Sequence, residues 1–439
     1  MFLRLLSRLR AVPLRSLIAA AGAAYLVAVA VLVITRTPLG SPLFFTMAAL
    51  MGVAYLAVAI RVWRSLGGSR RTFLSALALA VLFRIPLAVS PVGPDSDMVR
   101  YLWDGRVQLL GYNPYAVVPA DPAMAATHTT ETAAMPSRRQ RTPYPPAAQL
   151  FFRLVVALHD STLAMKLAIV FCDLLTIAVL WGWLAATNRS VWLTLVYAWH
   201  PLVVLEVAHS GHIDAVATLW IAAAAYWLTL RRTMLASVAF VLAIATKLLP
   251  LVLAPLFIGR VRFRDAAVGG GLLAALYVLF VDQSGLPLGA VPNVVANIRF
   301  NSPLFGALAS AVGPQIAAAS AVLLGLTCAA WARGRLDMAD PAAWAWPMAI
   351  ALVCAPVIYP WYLLCLTPFL FTTPTLPIMV WTFSVMPAYA VWHLAREGGR
   401  WIVPGWLVTV ELALFALATL VLFLNRRSRT REAEAPLDS

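Results

Sequence analysis

The segment 94–149 decides how the whole chain is interpreted, and it contains the sequences PDSDMVRYLWDGRVQLLGYNPYAVVPADPAM (94–124) and RRQRTPYPPAAQ (138–149). Carboxylates, arginines, aromatic residues and prolines are concentrated in it, whereas apolar stretches of membrane-spanning length flank it on both sides. We therefore predict a polar loop at a membrane surface, held by apolar helices. Three acids in it, Asp95, Asp97 and Asp104, follow directly on an apolar stretch.

The composition supports a membrane protein. Hydrophobic residues make up 62% of the chain and charged residues 12%, and the mean hydropathy is +0.84. An average soluble domain is about half apolar and about a quarter charged. The net charge of +15 could indicate a nucleic-acid partner, but the arginines cluster between apolar stretches, as the positive-inside rule predicts for cytoplasmic loops. We expect an integral membrane protein with many spans and no nucleic-acid partner.

The four cysteines are predicted to be buried thiols. Cys172, Cys328, Cys354 and Cys365 all lie in apolar stretches, without a CxxC pair or the spacing of metal ligands. Neither a disulfide framework nor a zinc site is expected from them.

The order of apolar and basic stretches predicts the topology. The apolar stretch 16–34 is longer than the apolar region of a typical signal peptide, so it is expected to be a retained first helix. Further early spans are predicted near 43–62, 73–89 and 162–184. This order puts the loop 93–149 on the exterior, where 147–158 is predicted to be an amphipathic helix. The chain 1–439 is interpreted as one multi-pass domain with about 12–14 crossings, a second exterior loop at 282–302 and both termini in the cytoplasm.

The apolar stretch 234–258 has basic ends and contains Lys247 and Pro250 in its middle. A single span would put the arginines at 260–264 outside, whereas two half-helices that meet at Lys247 would keep them inside. The positive-inside rule favours the hairpin. Because an ammonium group at membrane depth is costly without a partner, Lys247 is expected to be functional.

Asp97 is the strongest candidate for chemistry. A carboxylate at the outer mouth of a helix bundle can accept a proton from a hydroxyl group. Asp97 lies in the first turn of a predicted helix 97–110, where the helix dipole favours its negative charge. The alternative is that Asp95, Ser96 or Asp97 only caps this helix.

Cations on the exterior side indicate an anionic ligand, because membrane loops on that side usually lack positive charge. They are Arg100, Arg138, Arg139, Arg141, Lys247 and Arg299. A phosphate-bearing lipid would explain them, since guanidinium groups match phosphate oxygens. The alternatives are a solvated loop for the arginines at 138–141 and an i,i+4 ion pair between Arg100 and Asp104.

His209, His212 and Asp214 lie at a predicted outer turn between two spans. A zinc site would need further ligands, and none lies nearby in the sequence. Hydrogen bonds to a sugar or a phosphate group fit these residues better. No cofactor is expected, and a divalent metal ion is the less favoured alternative. Three further polar groups lie inside apolar stretches and could be functional or, equally, hydrogen-bond partners between helices: Asp173, His200 and Glu206.

Aromatic residues next to prolines supply rigid turns and flat surfaces on which a sugar ring can stack. They are Tyr112, Tyr115, Tyr144, Tyr359, Trp361 and Tyr362. Turn formation alone would explain the prolines and Asn113. The aromatic residues at 359–362 could equally form part of the belt at the membrane interface.

Five motifs together resemble those of bacterial multi-pass glycosyltransferases of the GT-C superfamily. They are SDMVRYLWDGRVQLLGYNPY at Ser96, YPPAAQ at Tyr144, GHIDA at Gly211, KLLPLVLAP at Lys247 and YPWYLL at Tyr359. The resemblance is greatest to the polyprenyl-phosphate-mannose-dependent α-mannosyltransferases, and the motifs occur in the same order over about residues 90–370.

The resemblance implies an all-α GT-C-like helix bundle with a large first extracytoplasmic loop. It also implies transfer of a sugar, expected to be mannose, from a polyprenyl-phosphate donor to a cell-envelope glycan or glycolipid, with inversion, on the outer face of the bacterial plasma membrane. Asp97 matches the family's catalytic acid, and Asp95 is a second candidate. The residues expected to bind the donor's phosphate or sugar are Arg100, Tyr101, Asp104, Tyr144, His209, His212, Asp214, Lys247, Arg299, Tyr359 and Trp361.

A transporter or flippase for lipid-linked sugars is the alternative function. Such proteins usually show internal repeats and carry their polar sites near the bilayer midplane. This sequence shows no repeat, and its polar residues gather at the predicted outer mouth of the bundle. Because phosphate is a good leaving group, a single base on the acceptor hydroxyl suffices for a transferase.

Overall fold

The computed structural model describes residues 12–64, 67–93, 96–283 and 285–434. Within these ranges every regular element is a helix, and only two isolated bridges, at Asp282–Gly285 and Phe300–Val357, have strand-like pairing. The fold is that of an all-α polytopic membrane protein, as the sequence predicts. Asp95, a predicted catalytic candidate, lies outside the described residues.

Long apolar helices form the frame of the molecule. In the described ranges seven segments are long and apolar enough to cross a membrane. They are Leu14–Ile34, Pro42–Arg64, Arg70–Val89, Thr162–Ala186, Pro314–Arg335, Thr373–Arg396 and Gly405–Asn425. The pair Val191–Ala198 and Pro201–Ser210, bent by 57°, would make an eighth span. The first four agree with the predicted spans to within a few residues.

Shorter helices make up most of the remainder. The other α-helices are Asp97–Leu109, Pro146–Leu158, Asp214–Thr229, Thr233–Thr246, Phe263–Val278, Val291–Asn297, Pro303–Val312 and Pro341–Val353, and the helix Gly405–Glu434 contains the last span. The 3₁₀-helices include Pro122–Thr127, Leu249–Phe257, Pro360–Phe369 and Met386–Tyr389. A total of about 12–14 crossings requires several of these short helices to cross the membrane as well, and that total stays a prediction.

A buried ion pair ties three of the apolar segments together. Arg84 Nε lies 2.5 Å from Asp173 Oδ2, and the hydroxyl of Tyr197 donates a hydrogen bond of 2.6 Å to the other oxygen of the same carboxylate. Arg84 also donates to the carbonyl oxygen of Ala198 at 2.9 Å. Because unpaired charges are costly inside a membrane, this network fixes the packing of the helices. The bonding between helices that was one alternative for Asp173 is confirmed.

The last apolar helix is held by Glu411, to which the sequence assigns no role. Asn301 donates to Glu411 Oε2 at 2.8 Å and Trp381 donates to Oε1 at 2.7 Å. Asn301 follows Phe300, whose carbonyl oxygen accepts a bond of 2.9 Å from the amide of Ile358. The second predicted loop therefore packs against the region that carries the YPWYLL motif.

The first predicted loop is a folded unit. Its helix Asp97–Leu109 begins at Ser96, whose Oγ accepts a hydrogen bond of 3.2 Å from the amide of Met98. This helix packs closely against Pro146–Leu158. A Cβ at Gly105 would lie only 2.7 Å from the carbonyl oxygen of Phe152, so the close contact depends on the glycine. Both helices agree with the prediction to within one residue. Since Ser96 caps the first helix, the Asp97 side chain is available for another role.

Candidate active site

Asp97 lies at the entrance of a cluster of polar and aromatic side chains. Its carboxylate is 36% exposed, and Oδ2 lies 3.8 Å from Nδ1 of His212. His212 belongs to the turn that connects the segment Pro201–Ser210 to the helix Asp214–Thr229. Two of the five motifs, SDMVRY and GHIDA, are therefore in contact.

The turn at Gly211 explains why these two motifs meet. Gly211 adopts φ 73°, in the left-handed region, and a Cβ at this position would lie 1.9 Å from Cε of Met98. Glycine adopts this conformation without strain, and any larger residue would also have to push the end of the Met98 side chain aside. The turn consequently presses against the beginning of the helix that carries Asp97.

His212 is held from three sides. Its Nε2 lies 3.2 Å from Oε2 of Glu206, and its backbone amide donates to the carbonyl oxygen of Glu206 at 2.9 Å. The imidazole stacks on Trp361 with ring centres 4.1 Å apart and planes 8° apart. Trp361 in turn stacks on Tyr359 at 4.4 Å. The imidazole therefore has a fixed orientation between Glu206 and Asp97.

Glu206 lies in a one-turn π-helix, Leu205–Ser210, directly before Gly211. π-Helical turns occur frequently at functional sites, because they shift side chains out of the regular α-helical register. The hydroxyl of Tyr389 donates a hydrogen bond to Oε1 of Glu206. Glu206 is fully buried, so its carboxylate is reached only through its partners.

Lys247 forms the second half of the cluster. The helix Thr233–Thr246 ends just before it, Lys247 has an extended backbone, and the 3₁₀-helix Leu249–Phe257 follows. The predicted break at Lys247 is present. Its Nζ lies 2.7 Å from Oδ1 of Asp214 and 3.8 Å from the ring centre of Tyr362. Lysine side chains carry three N–H donors, so this ammonium can bind a further anion.

Tyr362 connects the two halves. Burial raises the pKa of Tyr362, and the negative charges of Asp214 and Asp97 raise it further. Both carboxylates therefore act on the same phenol, which stays neutral at physiological pH. Tyr362 directly follows Trp361, on which His212 stacks, so Lys247 belongs to the same cluster as Asp97.

Tyr101 and Tyr144 form an aromatic wall next to Asp97. Their ring centres lie 5.0 Å apart, and the hydroxyl of Tyr101 accepts a hydrogen bond of 3.4 Å from the amide of Ile213. Burial raises the pKa of both phenols, and the charge of Asp97 raises it further. Tyr101 is buried with its ring stacked on Phe152, so of the two only the partly buried Tyr144 can offer a surface to a ligand.

Other predicted site residues lie outside the cluster. Arg100 Nε donates to Asp104 Oδ1 at 2.7 Å, and both side chains are buried. Asp104 also accepts a bond of 2.9 Å from Gln149. The observed arrangement is therefore the structural ion pair that was the alternative for these two residues. Arg299 is exposed; it donates to backbone carbonyls at the end of its own helix and lies over the ring of Phe305.

His209 lies on the π-helix one turn before His212. Among the described residues, its buried Nδ1 has no hydrogen-bond partner. In the same described part of the chain, no group of three or more His, Cys, Asp and Glu side chains could hold a metal ion.

Sequence reasoning missed three members of the cluster. For Glu206 the sequence leaves open whether it is functional or a hydrogen-bond partner between helices, and it gives no sign of the contact with His212. Tyr362 was noted as a stacking or belt residue, and its contact with Lys247 was not foreseen. Tyr389 gave no signal, because it reaches Glu206 from 183 positions away in the chain.

The geometry combines a half-exposed carboxylate, an ammonium group and stacked aromatic rings at one place in a polytopic helix bundle. Such a set can serve an enzyme, because the carboxylate can accept a proton and the ammonium group can bind an anion. A sequence-family model described as alpha-(1->6)-mannopyranosyltransferase, N-terminal domain, matches residues 12–263, more than half of the chain.

The chain belongs to this mannosyltransferase family, in agreement with its resemblance to GT-C enzymes. The matched region contains Asp97, His212 and Lys247, whereas Tyr359 and Trp361 lie beyond it. No curated protein and no solved structure is similar enough to the chain to count as a match.

Proposed function

We propose that this mannosyltransferase takes mannose from a polyprenyl-phosphate donor and transfers it, with inversion, to a cell-envelope glycan or glycolipid. Asp97 is the general base, and the site opens on the extracytoplasmic face of the bacterial plasma membrane. The observation that carries the proposal is the partly exposed Asp97 carboxylate, which faces His212 at 3.8 Å in the same cluster as the ion pair between Lys247 and Asp214.

In the reaction, the acceptor oxygen attacks the anomeric carbon of mannose from the face opposite the phosphate. The bond between the anomeric carbon and the phosphate oxygen breaks, and its electron pair leaves with the polyprenyl phosphate. Asp97 takes the proton of the acceptor hydroxyl as the new glycosidic bond forms. One displacement at one carbon inverts the configuration, and no cofactor is needed.

Lys247 is assigned to the donor's phosphate. Its Nζ is partnered by Asp214 and by the face of Tyr362, and a lysine ammonium can bind one more anion through its remaining N–H donors. The neighbouring aromatic residues Tyr101, Tyr144, Tyr359 and Trp361 are assigned to the sugar. Tyr144 and Tyr359 are partly exposed and are expected to touch the sugar. Tyr101 is buried against Phe152, and Trp361 lies between His212 and Tyr359, so these two support the site from behind.

The experiment uses purified protein in lipid vesicles. Radiolabelled mannose is supplied as polyprenyl-phosphate mannose, and in parallel as a nucleotide-activated mannose or as polyprenyl-phosphate glucose. We expect label to enter a glycan or glycolipid acceptor only from polyprenyl-phosphate mannose. Transfer from the nucleotide sugar alone would refute the lipid-linked donor. Movement of intact donor across the vesicle membrane without transfer would indicate a flippase.

The orientation of the site is tested separately in intact cells. A cysteine introduced at Ala123, which is exposed in the first loop, should react with a membrane-impermeant thiol reagent. A cysteine in the C-terminal tail should stay unlabelled until the cells are opened. Labelling of the tail in intact cells would contradict the proposed topology.

A further inference from the structure

Glu206 is a fully buried carboxylate with a single ionisable basic partner. Within the described ranges, it forms an ion pair with His212 and with no lysine or arginine. Its other oxygen accepts the hydrogen bond of Tyr389. A buried carboxylate charge is costly unless it is compensated. The compensating proton is therefore placed on the imidazole of His212, whose Nε2 lies 3.2 Å from Glu206.

The other nitrogen of the same ring faces Asp97. Nδ1 of His212 lies 3.8 Å from Asp97 Oδ2, and the stack on Trp361 prevents the ring from turning away. His212 consequently lies between two carboxylates, of which Glu206 is completely buried and Asp97 is open to substrate.

The charges around His212 favour its protonated form. Burial alone would lower the pKa of His212, but the hydrogen bond and the charge of Glu206 raise it, and the charges of Asp97 and Asp214 raise it further, so that the pKa lies above its ordinary value. The other titratable groups on the surrounding elements are Tyr101, Tyr144, Lys166, His209, Lys247, Tyr359, Tyr362 and Tyr389. A histidine in this environment stays protonated to a higher pH than a histidine in water.

We propose that His212 is a positioning residue: held by the buried Glu206, it carries a positive charge against Asp97 and orients that carboxylate towards the acceptor hydroxyl. This inference rests on the proposed function, in which Asp97 is the base. It gives Glu206 a role that the sequence does not reveal, because Glu206 acts on Asp97 only through His212.

The first test is the pH dependence of kcat/KM in His212→Gln. An opposite charge close to a carboxylate lowers its pKa by about 1–3 units. His212→Gln removes this positive charge from the neighbourhood of the base. We expect the acid limb of the profile to move to higher pH by about one unit, so that kcat/KM below the limb falls about tenfold, with kcat affected more than the donor KM.

Glu206→Gln is the second variant, and it leaves His212 in place. Glutamine keeps the shape of Glu206 and can still accept the bond from Tyr389, but it no longer favours an imidazolium. The acid limb should move in the same direction, and His212→Gln/Glu206→Gln should move it no further than His212→Gln alone. His159→Gln, an exposed histidine bonded to Ser161, is the matched control and should leave the profile unchanged.

The outcomes separate this inference from the proposed function. Asp97→Asn is measured in the same assay. Near-normal turnover in that variant would refute both the role of Asp97 as the base and the positioning role of His212. If Asp97→Asn is inactive while His212→Gln and Glu206→Gln leave the acid limb of the kcat/KM profile unchanged, only the positioning role of His212 is refuted. A higher donor KM without any change in the pH profile would make His212 a ligand of the donor instead. Loss of both variants from the membrane would mark the pair as structural, against the proposal.

Discussion

The ammonium nitrogen of Lys247 lies 2.7 Å from Oδ1 of Asp214 and 3.8 Å above the ring of Tyr362. The ion pair joins the end of the helix Thr233–Thr246 to the beginning of Asp214–Thr229. Lys247 is 18% exposed and Asp214 only 2%. The lysine can therefore reach a ligand, whereas the carboxylate has only protein around it.

Lys247→Met is expected to have two effects that a second substitution separates. It removes the proposed phosphate ligand, and it leaves the Asp214 carboxylate buried without its partner. Breaking a buried ion pair costs about 3–5 kcal/mol, an upper bound here because Lys247 is partly exposed. In Lys247→Met/Asp214→Asn the charge is gone from both sides, so thermal stability in detergent should largely return while donor binding stays weak. Donor affinity equal to that of the wild type in the double variant would make Lys247 purely structural.

Asp97→Asn is expected to lower turnover about 10²- to 10⁴-fold, because the general base is lost. The helix should remain intact, since its cap is Ser96 rather than Asp97. Asp104→Asn is the contrasting variant: it breaks the buried pair with Arg100 and should lower the melting temperature, with activity lost only through unfolding. Asp95→Asn completes the set. Strong loss of turnover in that variant, with normal turnover in Asp97→Asn, would transfer the role of the base to Asp95.

The sequence was sufficient for the features that depend on local composition. Membrane spans follow from the length of apolar stretches, and the helix at Asp97 follows from Ser96 and from the absence of proline until its end. The break at Lys247 could be predicted because the apolar stretch has basic residues at both ends and contains Lys247 and Pro250 in its middle. Each of these features depends on neighbours in the chain.

The features that the sequence did not reveal depend on contacts between distant segments. The role of Glu206 requires Tyr389, and the orientation of His212 requires Trp361. Arg100 was a candidate ligand until its burial with Asp104 was visible. Burial and pairing are properties of the packed bundle, and no local pattern distinguishes a buried arginine from one that faces a substrate.

Gly211→Ala is expected to destabilise the protein more than Gly111→Ala. Both glycines have positive φ values, 73° and 87°, and an alanine in a left-handed conformation costs about 1–2 kcal/mol at either site. A Cβ at Gly111 meets nothing within 4 Å, whereas one at Gly211 would lie 1.9 Å from Cε of Met98. Thermal unfolding should therefore show the extra loss at Gly211 alone, together with reduced transfer because Asp97 is displaced.

Met98→Ala in the Gly211→Ala background shows which part of that loss is steric. Met98→Ala alone costs about 2–5 kcal/mol, because Met98 is fully buried. Since it removes the clash, adding Gly211→Ala to it should cost less than in the wild type, and this added cost should recover towards that of Gly111→Ala. No recovery would mean that the turn is limited by its backbone conformation and not by its contact with the helix at Asp97.

Asp173→Asn tests whether the ion pair inside the bundle is needed for folding. Asp173 is completely buried and receives bonds from both Arg84 and Tyr197, so the substitution leaves a buried guanidinium without its counterion. Breaking such a pair costs about 3–5 kcal/mol, and the amount of folded protein in the membrane should fall sharply. Asp160→Asn is the matched control, because Asp160 pairs with Arg106 at an exposed position, where an ion pair contributes about 0–1 kcal/mol. Equal melting temperatures for the two variants would contradict a structural role of the buried pair. A folded Asp173→Asn protein with reduced turnover would instead link the pair to the active site.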